Sequence, residues 1–432
     1  MRSRVIVIGA GPAGILAAGS AAEEGAHVLL LEKNSRPARK ILVTGKGRCN
    51  LTNACDVEEY IANMVGNGSF LFSAFHAFPS GEVIRFFDRL GLPTKVERGD
   101  RIFPVSDRAM DVVDALQRYL KEAGVETRYN TAVERIIVEN ERAARVTTRT
   151  GESFNGDAII LATGGASYPG TGSTGDGYRI AEALGHTIIP PRPALIPLEV
   201  EEHWVSRLQG LSLRNVRAVA RVGGKKLGEE FGEMLFTHYG VSGPIILTLS
   251  RPVAAALERR DQDRRREQGK KEQSQPVKVS LSINLKPALS EEQFDSRLQR
   301  DLLKYSRKQF CNSLDDLLPQ KMIPVFVDLS GIPPEKPVHQ ITREERRRLL
   351  ELLVDFRLTI TRTRPLREAI VTAGGVSVKE INPRTLESKL IPGLFFAGEV
   401  IDVDGNTGGF NLQTAFCTGR LAGKHAARLG SD

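Results

Sequence analysis

The stretch that decides the fold lies near the amino end, where Arg4–Gly14 reads RVIVIGAGPAG. Its first part, Arg4–Ile8, is a short β-branched run that predicts a buried strand. The glycines that follow are spaced GxGxxG, and the Ala-rich stretch Ile15–Glu24 predicts a helix. A strand, a glycine turn and a helix in this order are typical of a dinucleotide-binding unit, because the turn brings backbone N–H groups close to a pyrophosphate.

The residues after this helix complete a β-α-β unit. Gly25 ends the helix, His27–Leu31 predicts a second strand, and Glu32 follows that strand directly. A carboxylate at this position accepts hydrogen bonds from ribose hydroxyls. The β-α-β order predicts a parallel sheet covered by helices, and Ala158–Ala162 (AIILA) adds another buried strand.

The composition is that of a globular protein. The chain has 432 residues, of which 41% are hydrophobic and 26% charged, and its formal net charge is +8. Four cysteines are too few for a disulfide scaffold and suit a reducing compartment, so a cytoplasmic location is expected. The histidines show no ligand-like spacing, so no metal is expected. Val5–Ala22 carries no charge, but its glycines and Pro12 serve the turn, so no membrane span is expected.

The basic balance raises the question of a nucleic-acid partner. Residues 258–272 (ERRDQDRRREQGKKE) and Arg343–Arg348 (REERRR) mix charges of both signs, which is typical of solvated helix faces. No aromatic residues interleave with these charges and no nucleic-acid-binding motif is present, so a nucleic-acid partner is not expected. Action on or beside RNA stays open as an alternative, because the isoelectric point is near 9.3.

The pattern of predicted strands and helices changes after Gly185. Four prolines cluster between 190 and 197, which indicates a boundary. From there to about Pro365 the β-α-β pattern is absent, and alternating strands and longer helical stretches replace it; Leu289–Leu318 is one of the predicted helices. We predict a discontinuous nucleotide-binding domain over 1–192 and 363–432. We further predict a β-rich insert over 193–288 and 350–362, which contains a helical subdomain over 289–349.

Four later segments narrow the family. They are TGKGRCNLTN (Thr44–Asn53), FTHYGVSGP (Phe236–Pro244), VTAGGV (Val371–Val376) and GNTGGFNLQ (Gly405–Gln413). With these segments, nearly the whole chain resembles the BaiN/YhiN and aminoacetone oxidase family of FAD-dependent oxidoreductases. The resemblance implies an α/β fold with a discontinuous two-dinucleotide-binding (Rossmann-like, GR-type) FAD domain, an inserted β-rich domain and a helical subdomain. A wider similarity is to fumarate reductase flavoproteins, and no obvious His stands where some of them attach FAD, which implies non-covalent FAD.

The resemblance also implies which residues contact FAD. Those at the pyrophosphate, the adenosine and the loops that close over them are Gly9, Gly11, Ala13, Gly14, Glu32, Val133, Thr163 and Gly164. Those along the cofactor's phosphates and isoalloxazine edge, the ribityl-phosphate portion and the pyrimidine side of the flavin are Lys33, Lys40, Arg48, Gly398, Glu399, Gly409, Phe410, Asn411 and Leu412. The last four would bring backbone N–H groups to the pyrimidine side of the flavin, where a helix N-terminus stabilises the negative charge that gathers on reduction.

The activity implied is hydride transfer between a small organic substrate and N5 of the flavin. Within the family this chemistry covers oxidation of small amines and reduction of activated C=C bonds, and the sequence does not choose between them. Gly170–Gly175 (GTGSTG) repeats the glycine spacing without following a strand directly, so no motif supports NAD(P)H binding. NAD(P)H therefore stays open as electron donor. A non-catalytic flavin-binding module is the other alternative, and the oligomeric state is not indicated.

His238 is the candidate catalytic residue, because a histidine can deliver or accept a proton near neutral pH. A structural histidine, hydrogen-bonded at a domain junction, is the alternative. Tyr168, Tyr239 and Arg364 are lesser candidates for contact with the substrate.

Cys49 and Cys55 raise a separate question, because paired thiols can carry redox chemistry. Their spacing is C-x5-C rather than the close motif of redox-active dithiols. We therefore expect packed or merely flavin-adjacent thiols at these two positions.

Overall fold

The computed structural model describes residues 2–267 and 277–429, and the chain divides into two units. Unit 1 comprises Met1–Ala194 and Leu366–Asp432, and unit 2 comprises Leu195–Pro365. The sequence placed the corresponding boundaries at 192/193 and 362/363. Of the mixed-charge run at 258–272, the part from residue 268 lies outside the described residues.

Strands and helices are numbered in chain order. The strands are β1 (Arg4–Ile8), β2 (His27–Leu31), β3 (Thr52–Asn53), β4 (Met64–Val65), β5 (Thr94–Glu97), β6 (Arg101–Pro104), β7 (Glu126–Arg128), β8 (Val133–Glu139), β9 (Arg142–Thr148), β10 (Ser153–Asn155), β11 (Ala158–Leu161), β12 (Ile188–Ala194), β13 (Leu198–Val200), β14 (Ser212–Val222), β15 (Lys225–Phe236), β16 (Gly240–Ser242), β17 (Val279–Asn284), β18 (Phe356–Thr363), β19 (Val371–Val376), β20 (Leu394–Phe396) and β21 (Asp404–Gly405). The helices are α1 (Pro12–Glu23), α2 (Val57–Asn63), α3 (Phe72–Ala77), α4 (Ser80–Arg89), α5 (Ala109–Glu122), α6 (Asp176–Ala183), α7 (Pro244–Glu267), α8 (Glu291–Lys304), α9 (Ile323–Ser330), α10 (Arg343–Val354) and α11 (Phe410–Arg428).

Unit 1 is built on a parallel sheet with the strand order β20-β11-β1-β2-β7. Val5 on β1 pairs with Ala158 on β11 and with Val28 on β2. All four residues of β11 are buried, as expected for a parallel strand covered on both faces. The β-α-β unit predicted from the amino end is confirmed, and α1 is its crossover helix.

Helices α1 and α11 pack against each other through small residues. A Cβ atom at Gly419 would lie 2.1 Å from the carbonyl oxygen of Ala13, and one at Gly423 would lie 2.2 Å from that of Ala17. No side chain fits at such distances, so these glycines allow the two helices to approach closely. The carboxyl-terminal helix thereby joins the amino-terminal β-α-β unit in one core.

Unit 2 contains a closed antiparallel barrel with the strand order β13-β16-β15-β14-β17-β18. The sequence predicted alternating strands here but did not predict that they close. Helices α8, α9 and α10 share the hydrophobic core of the barrel. Phe326 on α9, for example, stacks on Phe356 of β18 with ring centroids 5.0 Å apart.

One predicted helix in unit 2 is wrong in its length. The sequence predicts helix over Leu289–Leu318, whereas α8 ends at Lys304. Beyond that residue the backbone pairs with a distant loop, and the N–H of Phe310 donates to the carbonyl of Lys336 at 2.9 Å. These long-range bonds replace the i to i−4 bonds that would continue the helix.

A helix that crosses a membrane must be both long and predominantly apolar. Within residues 2–267 and 277–429, no helix is both long and apolar enough to cross a membrane.

Candidate cofactor site

The glycine turn between β1 and α1 has two tightly packed glycines and one open one. A Cβ at Gly9, whose φ is +100°, would lie 2.7 Å from the carbonyl oxygen of Ala162. A Cβ at Gly14 would lie 1.8 Å from the carbonyl oxygen of Gly9. A Cβ at Gly11 would have no protein atom within 4 Å. The turn therefore needs Gly9 and Gly14 for its own packing, and it leaves open space at Gly11, where α1 begins.

Glu32 lies beside this turn at the end of β2. Its side chain is buried, and its Oε2 accepts a hydrogen bond from the N–H of Ala10 at 2.7 Å. Its Oε1 accepts from the backbone and side-chain nitrogens of Asn34 at 2.8 and 2.6 Å. An ionised carboxylate offers about four acceptor positions, so capacity remains for a ribose hydroxyl. The carbonyl of Glu32 accepts from the N–H of Thr131, which brings the segment leading to Val133 alongside.

Lys33 turns toward the loop before α6. Its Nζ pairs with the carboxylate of Asp176 and donates to Oγ1 of Thr174 at 2.7 Å. Burial opposes ionisation of Asp176, but hydrogen bonds from Lys33 and Thr174 and the nearby positive charges outweigh it and lower its pKa. The second glycine motif, GTGSTG at Gly170–Gly175, belongs to this loop and does not connect a strand directly to a helix.

Thr163 and Gly164 follow β11 at the same edge of the sheet. The hydroxyl of Thr163 is buried and has no hydrogen-bond partner among the described residues. Gly164 has a φ of +73°, a conformation that favours glycine. The hydroxyl lies against Gly177 of α6, where a Cβ would approach it to 2.0 Å, so contact between Thr163 and a cofactor stays a prediction.

A partly buried ion pair joins Lys40 to Glu399. The Nζ of Lys40 lies 2.9 Å from Oε2 of Glu399 and donates to Oγ of Ser167 at 2.6 Å. The carboxylate also accepts from the N–H of Thr372 at 2.8 Å and from that of Gly165 at 3.3 Å. Burial works against the ionised form of Glu399, but the charge of Lys40 and these hydrogen bonds prevail, so its pKa lies below the ordinary value.

The start of α11 supplies the other end of the candidate site. Gly409 has a φ of +101°, and a Cβ there would lie 2.4 Å from the carbonyl oxygen of Thr52. The side chain of Asn411 accepts from the N–H of Gly405 at 2.8 Å and donates to the carbonyl of the same residue at 2.9 Å. Phe410 is buried. The first backbone N–H groups of the helix, including that of Leu412, have no acceptor within the helix, so this end attracts negative charge.

Gly398 connects the two ends. A Cβ there would lie 2.7 Å from the Cβ of Ala13 on α1, and its N–H donates to Oγ1 of Thr418 on α11 at 3.0 Å. The structure therefore brings Gly398 against the predicted residue Ala13 of α1, and it brings the same turn against α11 at Thr418, beyond the predicted residues Gly409–Leu412.

Arg48 has protein partners of its own. Its Nε lies 2.7 Å from Oδ1 of Asp107, its NH2 group pairs with Glu97, and its guanidinium lies over the ring of Phe103 at 4.2 Å. Two carboxylates thus balance its charge. Contact between Arg48 and a cofactor stays a prediction.

His238 lies in unit 2, in the turn between β15 and β16. Its side chain is exposed, and its ring contacts that of Tyr239 with centroids 4.8 Å apart. The guanidinium of Arg364 lies 4.5 Å from the centre of the Tyr239 ring. The structure thus brings three of the four residues proposed for catalysis or substrate contact together, while Tyr168 belongs to unit 1. A catalytic role for His238 stays a prediction.

The motif around His238 has a structural role as well. A Cβ at Gly240 would lie 2.1 Å from the carbonyl oxygen of Leu198, and one at Gly243 would lie 2.8 Å from the Cα of Met234. Both glycines are therefore needed for the close packing of the barrel strands.

The cysteines near the candidate site are free thiols. Burial raises the pKa of both Cys49 and Cys55 to about 12, so neither is a thiolate near neutral pH. This agrees with the interpretation of these residues as packed thiols.

Sequence reasoning missed several polar residues that support the site. Thr52, Thr372 and Gln413 lie inside the segments that carry the family resemblance, which was the available signal. Ser167 and Tyr60 lie outside those segments, and nothing in the sequence distinguishes them from ordinary buried residues.

The chain is similar to known proteins along nearly its whole length. The family model described as "HI0933-like protein Rossmann domain" matches residues 3–425. The chain is 35% identical to the 3-dehydro-bile acid delta(4,6)-reductase of Clostridium scindens, over 98% of this chain and 99% of that protein. It is 32% identical to the ribosomal RNA dihydrouridine synthase of Escherichia coli, over 96% of each chain. The resemblance to this family of oxidoreductases is confirmed.

Solved structures show the same fold at low sequence identity. The 3-ketosteroid delta1-dehydrogenase of Sterolibacterium denitrificans matches with a TM-score of 0.53 and 14% identity, and the match covers 99% of each chain. The quinol fumarate reductase subunit FrdA of E. coli matches with a TM-score of 0.51 and 17% identity, over 100% of this chain and 71% of that one. The predicted fold class, a Rossmann-like α/β domain with an insert, is confirmed.

Proposed function

Because the chain belongs to the family of HI0933-like Rossmann-domain proteins, we propose that it is an FAD-dependent oxidoreductase that reduces a C=C bond conjugated to a carbonyl group. The observation that carries the proposal is the glycine turn, which is packed at Gly9 and Gly14 and open at Gly11, directly before α1. Open space beside the N-terminus of a buried helix suits a pyrophosphate. The carboxylate of Glu32, which lies beside the turn and retains acceptor capacity, fits the ribose of a dinucleotide.

The residues assigned to FAD would contact different parts of the cofactor. The backbone of Gly11, Ala13 and Gly14 would bind the pyrophosphate, and Glu32 would bind the ribose of the adenosine. The N-terminus of α11, from Gly409 to Leu412, would face the pyrimidine side of the flavin. There its positive end would favour negative charge on the ring. When bound, the flavin supplies an acceptor and a donor of hydride.

Two relatives support the choice of a C=C bond over an amine. The name of one describes reduction of delta(4,6) double bonds in a 3-dehydro, that is 3-keto, steroid. The name of the other describes formation of dihydrouridine, in which the C=C bond beside a ring carbonyl has been saturated. The two substrates differ in size and polarity, but the reacting group is the same. Between the two chemistries that the sequence left open, we therefore favour the reductase.

The test is an anaerobic half-reaction experiment with the purified holoprotein. NADH and NADPH are offered separately as donors, and bleaching of the visible absorbance band of the oxidised flavin reports reduction. Cyclohex-2-enone, a steroid 4-en-3-one or oxygen is then added. We expect NAD(P)H to reduce the flavin and an enone to reoxidise it faster than oxygen does. Rapid reoxidation by oxygen alone, together with reduction by an amine, would identify an oxidase and overturn the reductase proposal.

A second candidate is reduction of uracil within ribosomal RNA. Two relatives, 32% and 29% identical to this chain, are ribosomal RNA dihydrouridine synthases. The net charge of +8 is also compatible with a polyanionic substrate. Unmodified ribosomal RNA transcribed in vitro is therefore included among the acceptors. Reoxidation by this RNA, with dihydrouridine formed and a steep loss of binding at higher salt, would favour it over the small enone.

For proton delivery we propose His238, whose exposed ring and contact with Tyr239 leave it accessible to a reactant. His238→Gln should keep FAD and slow reoxidation by the acceptor about 100-fold, the usual contribution of a general acid. His203→Gln serves as the matched control, because His203 lies in the same unit and outside the FTHYGVSGP motif. Equal rates in the two variants would leave His238 without a catalytic role.

A further inference from the structure

A group of buried polar side chains lies against the start of α11. It comprises Thr52, Asn53, Tyr60 and Gln413, and each of the four is at most 4% exposed. Thr52 and Asn53 form β3, Tyr60 lies on α2, and Gln413 lies in the first turns of α11. We refer to these four residues as the α11 network.

The members of the network are joined by short hydrogen bonds. The hydroxyl of Thr52 lies 2.5 Å from that of Tyr60, and it donates to Oε1 of Gln413 at 2.6 Å. The hydroxyl of Tyr60 also accepts from the N–H of Asn53 at 2.7 Å and lies 2.8 Å from the carbonyl of that residue. The amide of Gln413 donates to the carbonyl of Phe78 at 2.7 Å. The network thus links residues 52–60 and Phe78 to α11, which lies more than 300 residues further along the chain.

The network also touches the residues that open α11. The amide of Asn53 donates to the carbonyl of Gly408 at 3.1 Å. The ring of Tyr60 meets that of Phe410 edge-on, with centroids 5.3 Å apart. A Cβ at Gly409 would lie 2.4 Å from the carbonyl oxygen of Thr52. The backbone at 408–410 is therefore held from one side by this group of side chains.

Hydrogen bonds fix direction in a way that apolar packing does not. Burial of four polar side chains costs free energy unless their groups are paired. An apolar cluster of the same size would stabilise the core without this desolvation cost. The use of polar side chains therefore indicates that the orientation of the backbone matters here. Burial raises the pKa of the Tyr60 phenol, so the group stays protonated near neutral pH and can donate.

We propose that Tyr60, Thr52 and Gln413 are positioning residues that hold the first turn of α11 at the pyrimidine side of the flavin. By fixing that turn, they strengthen FAD binding and raise the preference for the reduced over the oxidised flavin. This inference rests on the proposed function, because it takes the start of α11 to be the flavin contact.

The test compares Tyr60→Phe with Tyr119→Phe in the FAD-loaded full chain. Tyr119 is also a buried tyrosine of unit 1, but it lies on α5, outside the network. For Tyr60→Phe we expect a dissociation constant for FAD about tenfold higher, because a less firmly held first turn of α11 must be ordered when FAD binds. We also expect a midpoint potential that is more negative by about 30 mV, which is a tenfold change for a two-electron couple. Tyr119→Phe should leave both quantities unchanged.

A second pair of variants keeps the inference testable if Tyr60→Phe does not fold. Thr52→Val removes the hydroxyl at nearly constant shape, and Thr52→Ser keeps it. The valine variant should show the changes in FAD affinity and potential, and the serine variant should restore most of the wild-type values. Equal affinity and potential in the valine, serine and wild-type proteins would overturn the inference while leaving the proposed function intact. A wild-type protein that binds no FAD would overturn both.

Discussion

The starts of α1 and α11 are both glycine-capped helix N-termini without a side-chain cap, yet different contacts hold them. At α1 the turn is fixed by main-chain contacts, since a Cβ at Gly14 would run into the carbonyl of Gly9. At α11 the turn is fixed by side chains from distant segments, such as Thr52 bonded to Gln413. The α1 turn is supported by the nearby Glu32, whose carboxylate accepts from the N–H of Ala10, whereas the α11 turn is supported by polar side chains that lie far away in the sequence.

The largest effect should come from substitutions at the α1 turn. Gly14→Ala places a Cβ 1.8 Å from a backbone oxygen, so the backbone must move, and we expect a loss of folding free energy of about 3 kcal/mol or more. Gly11→Ala is the matched control, because its Cβ meets no protein atom within 4 Å. The free energy of unfolding of Gly11→Ala should lie within about 1 kcal/mol of the wild-type value. Because the new Cβ occupies the open space at the turn, this variant should bind FAD at least about tenfold more weakly.

Urea unfolding and FAD titration of the apoproteins measure the two effects separately. Gly11→Ala that keeps wild-type affinity would show that the open space at this turn is not where the pyrophosphate lies. Gly14→Ala with wild-type stability would remove the distinction between the two helix starts.

This difference also explains what could be predicted from the sequence. The Gly9–Gly14 turn could be predicted, because the strand, the turn, the helix and Glu32 lie within one short stretch of sequence. The spacing of these residues follows directly from the needs of a pyrophosphate and a ribose. The α11 network could not, because the contact between Thr52 and Gln413 depends on how distant segments fold together. The closure of the barrel in unit 2 was missed for the same reason, since alternation shows that strands are present but not how they pair.

A medium effect is expected at Glu32, which links the α1 turn to the ribose. Glu32→Ala removes the acceptor for the N–H of Ala10 and leaves that group buried without a partner, at a cost of about 1–3 kcal/mol in folding free energy. The variant should also lose FAD during gel filtration.

Asp157→Ala provides a control for Glu32, since Asp157 also accepts a backbone N–H, that of Arg4, but at an exposed site away from the turn. It should retain its FAD. If both variants elute with the same yellow colour as wild type, the assignment of Glu32 to the ribose is wrong.

The smallest effect should come from breaking the ion pair between Lys40 and Glu399. The carboxylate of Glu399 also accepts hydrogen bonds from the hydroxyl of Ser167 and the N–H of Thr372. The folded state holds the pKa of Glu399 below its ordinary value of 4.5, against the effect of burial and by means of Lys40 and backbone donors. A carboxylate with a lowered pKa stabilises the fold above its unfolded pKa and loses that contribution as the pH falls through its folded pKa. The stabilisation is therefore complete at neutral pH and decreases below about pH 4.5.

Glu399→Gln tests this pH dependence, because the amide cannot ionise and has nearly the same shape. Urea unfolding of the apoprotein should show a destabilisation of about 1–2 kcal/mol at pH 7, in the range of a charged hydrogen-bonded pair. The difference from wild type should narrow progressively as the pH is lowered below 4.5. Lys40→Met should cost a similar amount at pH 7, and the double variant should cost less than the sum of the two, because both single changes break one interaction. A difference that stays constant from pH 7 to pH 3.5 would mean that the pKa of Glu399 is the same in the folded and unfolded states, so that Lys40 and the backbone donors do not favour its ionised form.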